Sequence, residues 1–197
     1  SGGAHKIYNN KIDKIIENIF NKTIENQPKG VIDIGCGDGT FLEHIYDIII
    51  TKTIRKDYLD SYHLHMIGTD INKVARISSR SRLNKSNINN VIINGSISEP
   101  QEINSLLKKE YNLKLSDFLN TRSFLDHNRI FKKPKHNYRN DIQTTGTFCY
   151  KGKIINKNTL INNLIEHLKK WSPYINIHGL ILLELHTINP EITKNNV

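Results

Sequence analysis

The sequence predicts an α/β fold, a three-layer sandwich built on a mostly parallel sheet. Three observations predict it. Short apolar runs alternate along the chain with amphipathic stretches of helical period, the pattern of repeated strand–helix units. The turn Gly35-Cys36-Gly37-Asp38-Gly39 stands between the first such run and the helix after it. Asp70 closes the second run, at the carboxyl end of a strand, where α/β sheets gather their ligands.

Each element has its own signal. Residues 7–20 carry apolar side chains at 7, 12, 15, 16, 19 and 20, a helical spacing. Val31-Ile32-Asp33-Ile34 reads as a buried strand, and TFLEHIYDIII (40–50) as the helix following the glycine turn. TKTIRKDYLDSYHL (51–64) reads as an insertion before a second strand, HMIGTDI. A helix over 72–83 starts at Asn72, a side chain suited to capping. NVIINGSI (90–97) is the third strand, and Pro100 opens a helix running to Tyr111. LSDFLNTRSFL (115–125) supplies the fourth strand. Residues 127–153, with Pro134, Gly146 and Gly152, read as one irregular, substrate-side loop. NTLINNLIEHLKKW (158–171) is a strongly amphipathic helix and HGLILLELHT (178–187) a fifth strand. The chain thus divides into an N-terminal helical segment, 1–29, and a core, 30–197.

At 197 residues the chain is large enough to bury an apolar interior, and no run approaches the roughly 18 apolar residues of a bilayer span. No signal peptide opens the chain, Ser1-Gly2-Gly3 resembles a cloning scar, and Cys36 and Cys149 make no disulfide framework, so a reducing cytoplasm is expected. The net charge of +9 raises nucleic acid as a partner. The charge is dispersed, however. Its densest groups, Arg76-Arg80-Arg82-Lys85 and Arg129-Lys132-Lys133-Lys135, fit a helix face and a loop, and an acidic carrier protein suits them equally well.

The glycine turn narrows the ligand. Thr40 stands where the dinucleotide fingerprint needs its third glycine, and the phosphate-loop pattern is absent. Asp38 would repel a pyrophosphate at the helix N-terminus. S-adenosylmethionine has no phosphate, and its sulfonium and amino group favour carboxylates such as Asp33 and Asp38. Asp70 is placed to accept ribose hydroxyls, with Ile71 beside it, and Gly95-Ser96-Ile97 follow the third strand where adenine is commonly held. The expected cofactor contacts are therefore Asp33, Gly35, Cys36, Gly37, Asp38, Thr40, Asp70, Ile71, Gly95, Ser96 and Ile97.

TRSFLDHNR (121–129), LIEHLKKWSPY (164–174) and GLILLELHTINPEIT (179–193) resemble the class I methyltransferase domains of bacterial modular polyketide synthases, notably the trans-acyltransferase type. The resemblance runs over about residues 30–193 in order. It implies a Rossmann-like methyltransferase sandwich that C-methylates an acyl chain held as a thioester on an acyl carrier protein, among neighbouring synthase domains. Such domains continue into a further helix and a final strand pair. The resemblance therefore implies that the C-terminal strands are missing and that the chain is part of a longer polypeptide.

Methylating carbon requires a proton to leave first. Arg122, Asp126 and His127 follow the fourth strand and are the first candidates, His127 as base or metal ligand. Glu184 and His186, two apart on the fifth strand, share one face and suit a base with its orienter. A divalent metal chelated by the two substrate carbonyls is the other route to an enolate, with His127 and His186 as its ligands. Tyr150 in the irregular loop is a further substrate-side candidate, while Trp171 and Tyr174 read as packing the end of their helix. His44, His63, His65, His136, His167 and His178 read as helix-face or loop residues, and Cys36 as a small packing residue. Two other functions compete. One is methylation of RNA or another nucleophile, although the N-P-P-[YF] clamp for a planar nitrogen is absent after the fourth strand. The other is a non-catalytic scaffold that keeps the fold.

Overall fold

The computed structural model describes residues 2–141, 143 and 148–184, with side chains from residue 10 onward. A five-stranded sheet has the order β3-β2-β1-β4-β7: β3 is Asn90–Asn94, β2 His65–Asp70, β1 Gly30–Ile34, β4 Leu119–Ser123 and β7 Leu180–Leu183. β1 pairs in parallel with both β2 and β4, and β2 with β3. Asn120 N–H donates to the Gly179 carbonyl and Phe124 N–H to that of Leu183, a step of four along both chains, so β7 runs parallel to β4 as well. All five residues of β1 are buried, as a strand covered by helices on both faces requires. The chain runs outward from β1 to β2 and β3 and then returns to β4 on the other side of β1, which puts the topological switch point at the carboxyl ends of β1 and β4.

The chain forms two compact units, residues 1–123 with 174–182, and 124–173 with 183–197. In the first, α1 (Gly2–Phe20) buries Ile12, Ile16 and Phe20, one stripe at a spacing of four, and leaves Ile15 exposed. Asp13 of α1 joins His44 at 2.9 Å and Lys52 at 3.5 Å on α2 (Thr40–Lys52). Asn72 caps α3 (Lys73–Lys85) as expected, accepting from Val74 N–H, and Pro100 opens α4 (Pro100–Tyr111). The 51–64 stretch is ordered around Arg55, which is fully buried. Its guanidinium donates to Gln27 Oε1 and to the carbonyls of Pro28, Lys29 and His63, while the Phe20 and Tyr62 rings lie 5.9 Å away.

Two expectations need correction. The fourth strand is shorter than read: Leu115–Asp117 is a 3-10 turn, and Asn120 Nδ2 donates to the Leu115 and Phe118 carbonyls at the junction. Residues 127–153 are not one irregular loop. In the second unit, β5 (Phe148–Tyr150) and β6 (Lys153–Ile155) form an antiparallel hairpin around Lys151-Gly152, both at positive φ. Residues 132–140 are held by α5 (Lys157–Ile175). Asn162, almost wholly buried, accepts from the N–H groups of Tyr138 and Arg139 and donates to Asn137 Oδ1 and the Arg139 carbonyl. Asn158 holds the Asn140 carbonyl, Asn163 that of Lys132, and Glu166 the Lys135 N–H.

Candidate functional site

The glycine turn is pinned to the end of β2. Gly35 and Cys36 N–H both donate to the Thr69 carbonyl, at 2.7 and 2.9 Å. Gly37 N–H donates to Asp70 Oδ2 at 3.1 Å, and Asp70 Oδ1 accepts from Asn72 N–H at 2.8 Å. A carboxylate accepts about four hydrogen bonds, so Asp70 keeps capacity for two hydroxyl donors. Gly37 has φ +53°, and a Cβ built there would meet nothing within 4 Å, so its backbone borders open space. Gly39 is constrained differently. At φ +83° it starts α2, and a Cβ would lie 2.7 Å from Ser79 Oγ of α3. Ile71, next to Asp70, is 70% exposed. Gly95 and Ser96 are half-buried and Ile97 is buried, and a Cβ at Gly95 would crowd Thr69 and Ile103.

Asp33 of β1 and Asp38 of the turn are used differently from one another. Asp33 is fully buried; its Oδ1 accepts from Thr121 Oγ1 of β4 at 2.8 Å, and its Oδ2 has no hydrogen-bond partner among the described residues. Burial pushes its carboxyl up to about 7, against the lowering effect of the Thr121 hydroxyl. Asp38 does not stand as an uncompensated charge. Its carboxylate accepts from Thr40 N–H and Oγ1, and pairs with Arg82 of α3 at 3.0 Å. Those bonds, the Thr40 hydroxyl first, hold it below the usual carboxylate range. Arg82 also grips Glu43, which accepts from Ser86, and this cluster lines a pocket of about 460 Å³ between α2 and α3. Cys36 is buried, with its thiol pushed up to about 12 by burial and by Asp33, which makes it inert packing.

The second unit carries the other cluster. The 3-10 turn Asp126–Asn128 follows Phe124, a non-glycine residue at φ +55°. His127 Nδ1 lies 2.8 Å from Glu184 Oε2, and Asp126 N–H donates to Glu184 Oε1 at 2.7 Å. Since a carboxylate can only accept, the imidazole carries a proton on Nδ1, and in its neutral form Nε2 is the acceptor nitrogen. His127 is half exposed, Glu184 less so. Glu184, expected beside His186, contacts the His127 imidazole. His186 and the remainder of the expected fifth strand lie outside the described residues. Asp126 Oδ1 lies 3.3 Å from His167 Nε2 and 3.9 Å from Arg129 Nε. Sequence reasoning missed His167, since its partner is 41 positions away; its only signal was its helical spacing from Leu160, Leu164 and Trp171. Arg122, expected among the catalytic groups, lies within β4 and is fully buried, so it is not presented to solvent. Among the described residues, no three His, Cys, Asp or Glu side chains converge as a metal site.

A family model, the AprA MT2-like domain, matches residues 1–197. Among curated proteins none matches the sequence significantly. Similar solved structures include the plantazolicin methyltransferase BpumL in complex with SAH, at 17% identity over 82% of this chain and 40% of that one, with TM-score 0.37. Another, from echinomycin biosynthesis, concerns conversion of a disulfide bond into a thioacetal group. It is 15% identical over 51% of this chain and 33% of that one, with TM-score 0.29. The aligned part thus spans 33% to 40% of the length of these two structures. Matched by its family model from end to end, the chain belongs to the AprA MT2-like family of methyltransferase domains.

Proposed function

We propose that this domain methylates the α-carbon of an acyl chain carried as a thioester on an acyl carrier protein of a polyketide synthase, with His127 as the base. The observation that carries this reading is the His127–Glu184 pair. Oxygen and nitrogen nucleophiles bring their own lone pair, whereas a carbon nucleophile exists only once a proton has left. An imidazole held by a carboxylate is suited to that step. Glu184 holds the neutral imidazole in the tautomer that offers Nε2 as acceptor, and it stabilises the imidazolium that forms when Nε2 takes the α-proton.

S-adenosylmethionine, when bound, supplies an electrophilic methyl group on its sulfonium. The residues of the glycine turn fit it. Gly37 leaves room for close approach, and Asp70 retains two acceptor sites for a ribose diol. Ile71 offers an exposed apolar side chain beside Asp70, suited to a base, with Gly95-Ser96-Ile97 as the adenine-edge contacts. The buried Asp33 carboxyl has no cation bonded to it, so a cationic ligand gives its charged form a partner. The excess of 28 Lys and Arg over 19 Asp and Glu suits an acidic carrier. His127 and His186 remain the proposed ligands should a divalent metal assist enolisation.

Proton removal is measurable apart from methyl transfer. In D₂O, without cofactor, the domain is expected to accelerate α-hydrogen exchange of a β-ketoacyl carrier protein. His127→Ala is expected to slow that exchange by roughly 10²–10⁴-fold while leaving cofactor affinity unchanged within a factor of about two. With S-adenosylmethionine added, the acyl mass rises by one methyl group. Methylated RNA with no methyl on any acyl carrier would overturn the reading. A titration showing no cofactor binding would support a scaffold instead.

A further inference from the structure

We infer that His167 is a positioning residue for the His127–Glu184 pair, acting through Asp126; this rests on the proposal that His127 is the base. The chain of contacts is short. Glu184 spends one carboxylate oxygen on the His127 imidazole and the other on the backbone N–H of Asp126, at 2.8 and 2.7 Å. Both donors belong to one 3-10 turn, so the orientation of that turn decides whether Glu184 can hold them together. A single turn of that type has little stability of its own. What fixes it is the Asp126 side chain, only 9% exposed, whose Oδ1 meets His167 Nε2 at 3.3 Å and Arg129 Nε at 3.9 Å.

His167 is the better anchor of the two. It stands mid-way along the 19-residue helix α5, its side chain is 5% exposed, and the next turn of the helix places the fully buried Trp171 on the same face. Arg129 is the C-cap of that same turn and so offers no anchor outside it. The helix thus transmits a fixed point through His167 to Asp126. The Asp126 N–H then locks one oxygen of Glu184, leaving the other aimed at His127 Nδ1. Loss of the His167 contact would leave the imidazole free to rotate or to change tautomer, with no group that touches substrate removed.

The test uses the intact domain, with acetoacetyl-N-acetylcysteamine as acyl probe and the ¹⁵N shifts of the His127 ring as a second readout. His167→Phe is expected to lower kcat about tenfold or more, with KM for probe and cofactor within a factor of about two, since positioning acts on the transition state. The His127 ring is expected to pass from a single Nδ1–H tautomer to a mixture. His167→Gln, whose Nε2 can donate to Asp126, is expected to restore both. If His167→Phe fails to fold, Asp126→Asn weakens the same contact at constant shape and is expected to change kcat and tautomer in the same direction. An unchanged tautomer and kcat in the variants, or a loss that His167→Gln does not rescue, would overturn the inference. If the wild-type domain methylates no thioester, the catalytic reading falls, and the ring tautomer alone then decides the positioning role.

Discussion

Asp33 carries the sharpest conflict between stability and function in the molecule. A buried carboxyl raised to about 7 binds its proton more tightly in the folded chain than in the unfolded one, where the ordinary value is 3.8. Its contribution to stability is therefore fully present below pH 3.8 and is lost as pH rises to about 7, by roughly 1.4 kcal/mol per unit of pH at most. Asn in its place keeps a neutral acceptor for Thr121 and never ionises. The ligand-free Asp33→Asn domain is thus expected to gain on the wild type between pH 5 and 8, as measured by the difference in urea midpoints, while its affinity for S-adenosylmethionine falls about tenfold. A midpoint difference independent of pH would contradict this. The glycine turn and Asp70 were legible in the sequence because their meaning is local. The pairing of Asp38 with Arg82, 44 positions away, was not, and neither was that of His127 with Glu184, 57 positions away. Residue types announced an acid and a base there, but only the folded chain chooses partners.

At the scale of elements, two segments that read as loop are held by single side chains. Arg55 satisfies four acceptors of residues 27–29 and 63, and binds the 51–64 stretch to the entry of β1. Arg55→Met keeps the length but leaves Gln27 Oε1 and the Pro28 carbonyl without that donor in a buried setting; it is expected to cost about 2–4 kcal/mol in urea unfolding. Asn162 does the same for residues 137–139, with Asn158 one turn before it and Glu166 one turn after on the same face of α5. Asn162→Ala is expected to speed tryptic cleavage at Lys132, Lys133, Lys135 or Arg139 by more than about tenfold, with global stability changed far less. Helices α2 to α4 and the strands β1 to β3 were readable from periodicity and from Asn72 and Pro100 at their starts. The β5–β6 hairpin was not, since three-residue strands carry too few positions to show a period of two. The polar stripe of α5 had no visible purpose until its acceptors were in place.

For the molecule as a whole, the strand order β3-β2-β1-β4-β7 puts the glycine turn and Asp70 at the switch point, as an α/β sheet with these motifs requires. This level was the most legible, because five apolar runs and the helices between them constrain a parallel sheet together even where single boundaries are wrong. Net charge was the least informative, since a dispersed +9 suits several anionic partners. The central claim, carbon methylation driven by His127, is tested most directly by one product analysis. The intact domain is incubated with methyl-¹³C S-adenosylmethionine and a β-ketoacyl carrier protein, and the released acyl group is examined by ¹³C NMR. The expected result is a labelled methyl bonded to the α-carbon, formed by the wild type and reduced at least about a hundredfold in His127→Ala. Label on oxygen, nitrogen or RNA, or an α-methyl signal of equal size in both proteins, would contradict it.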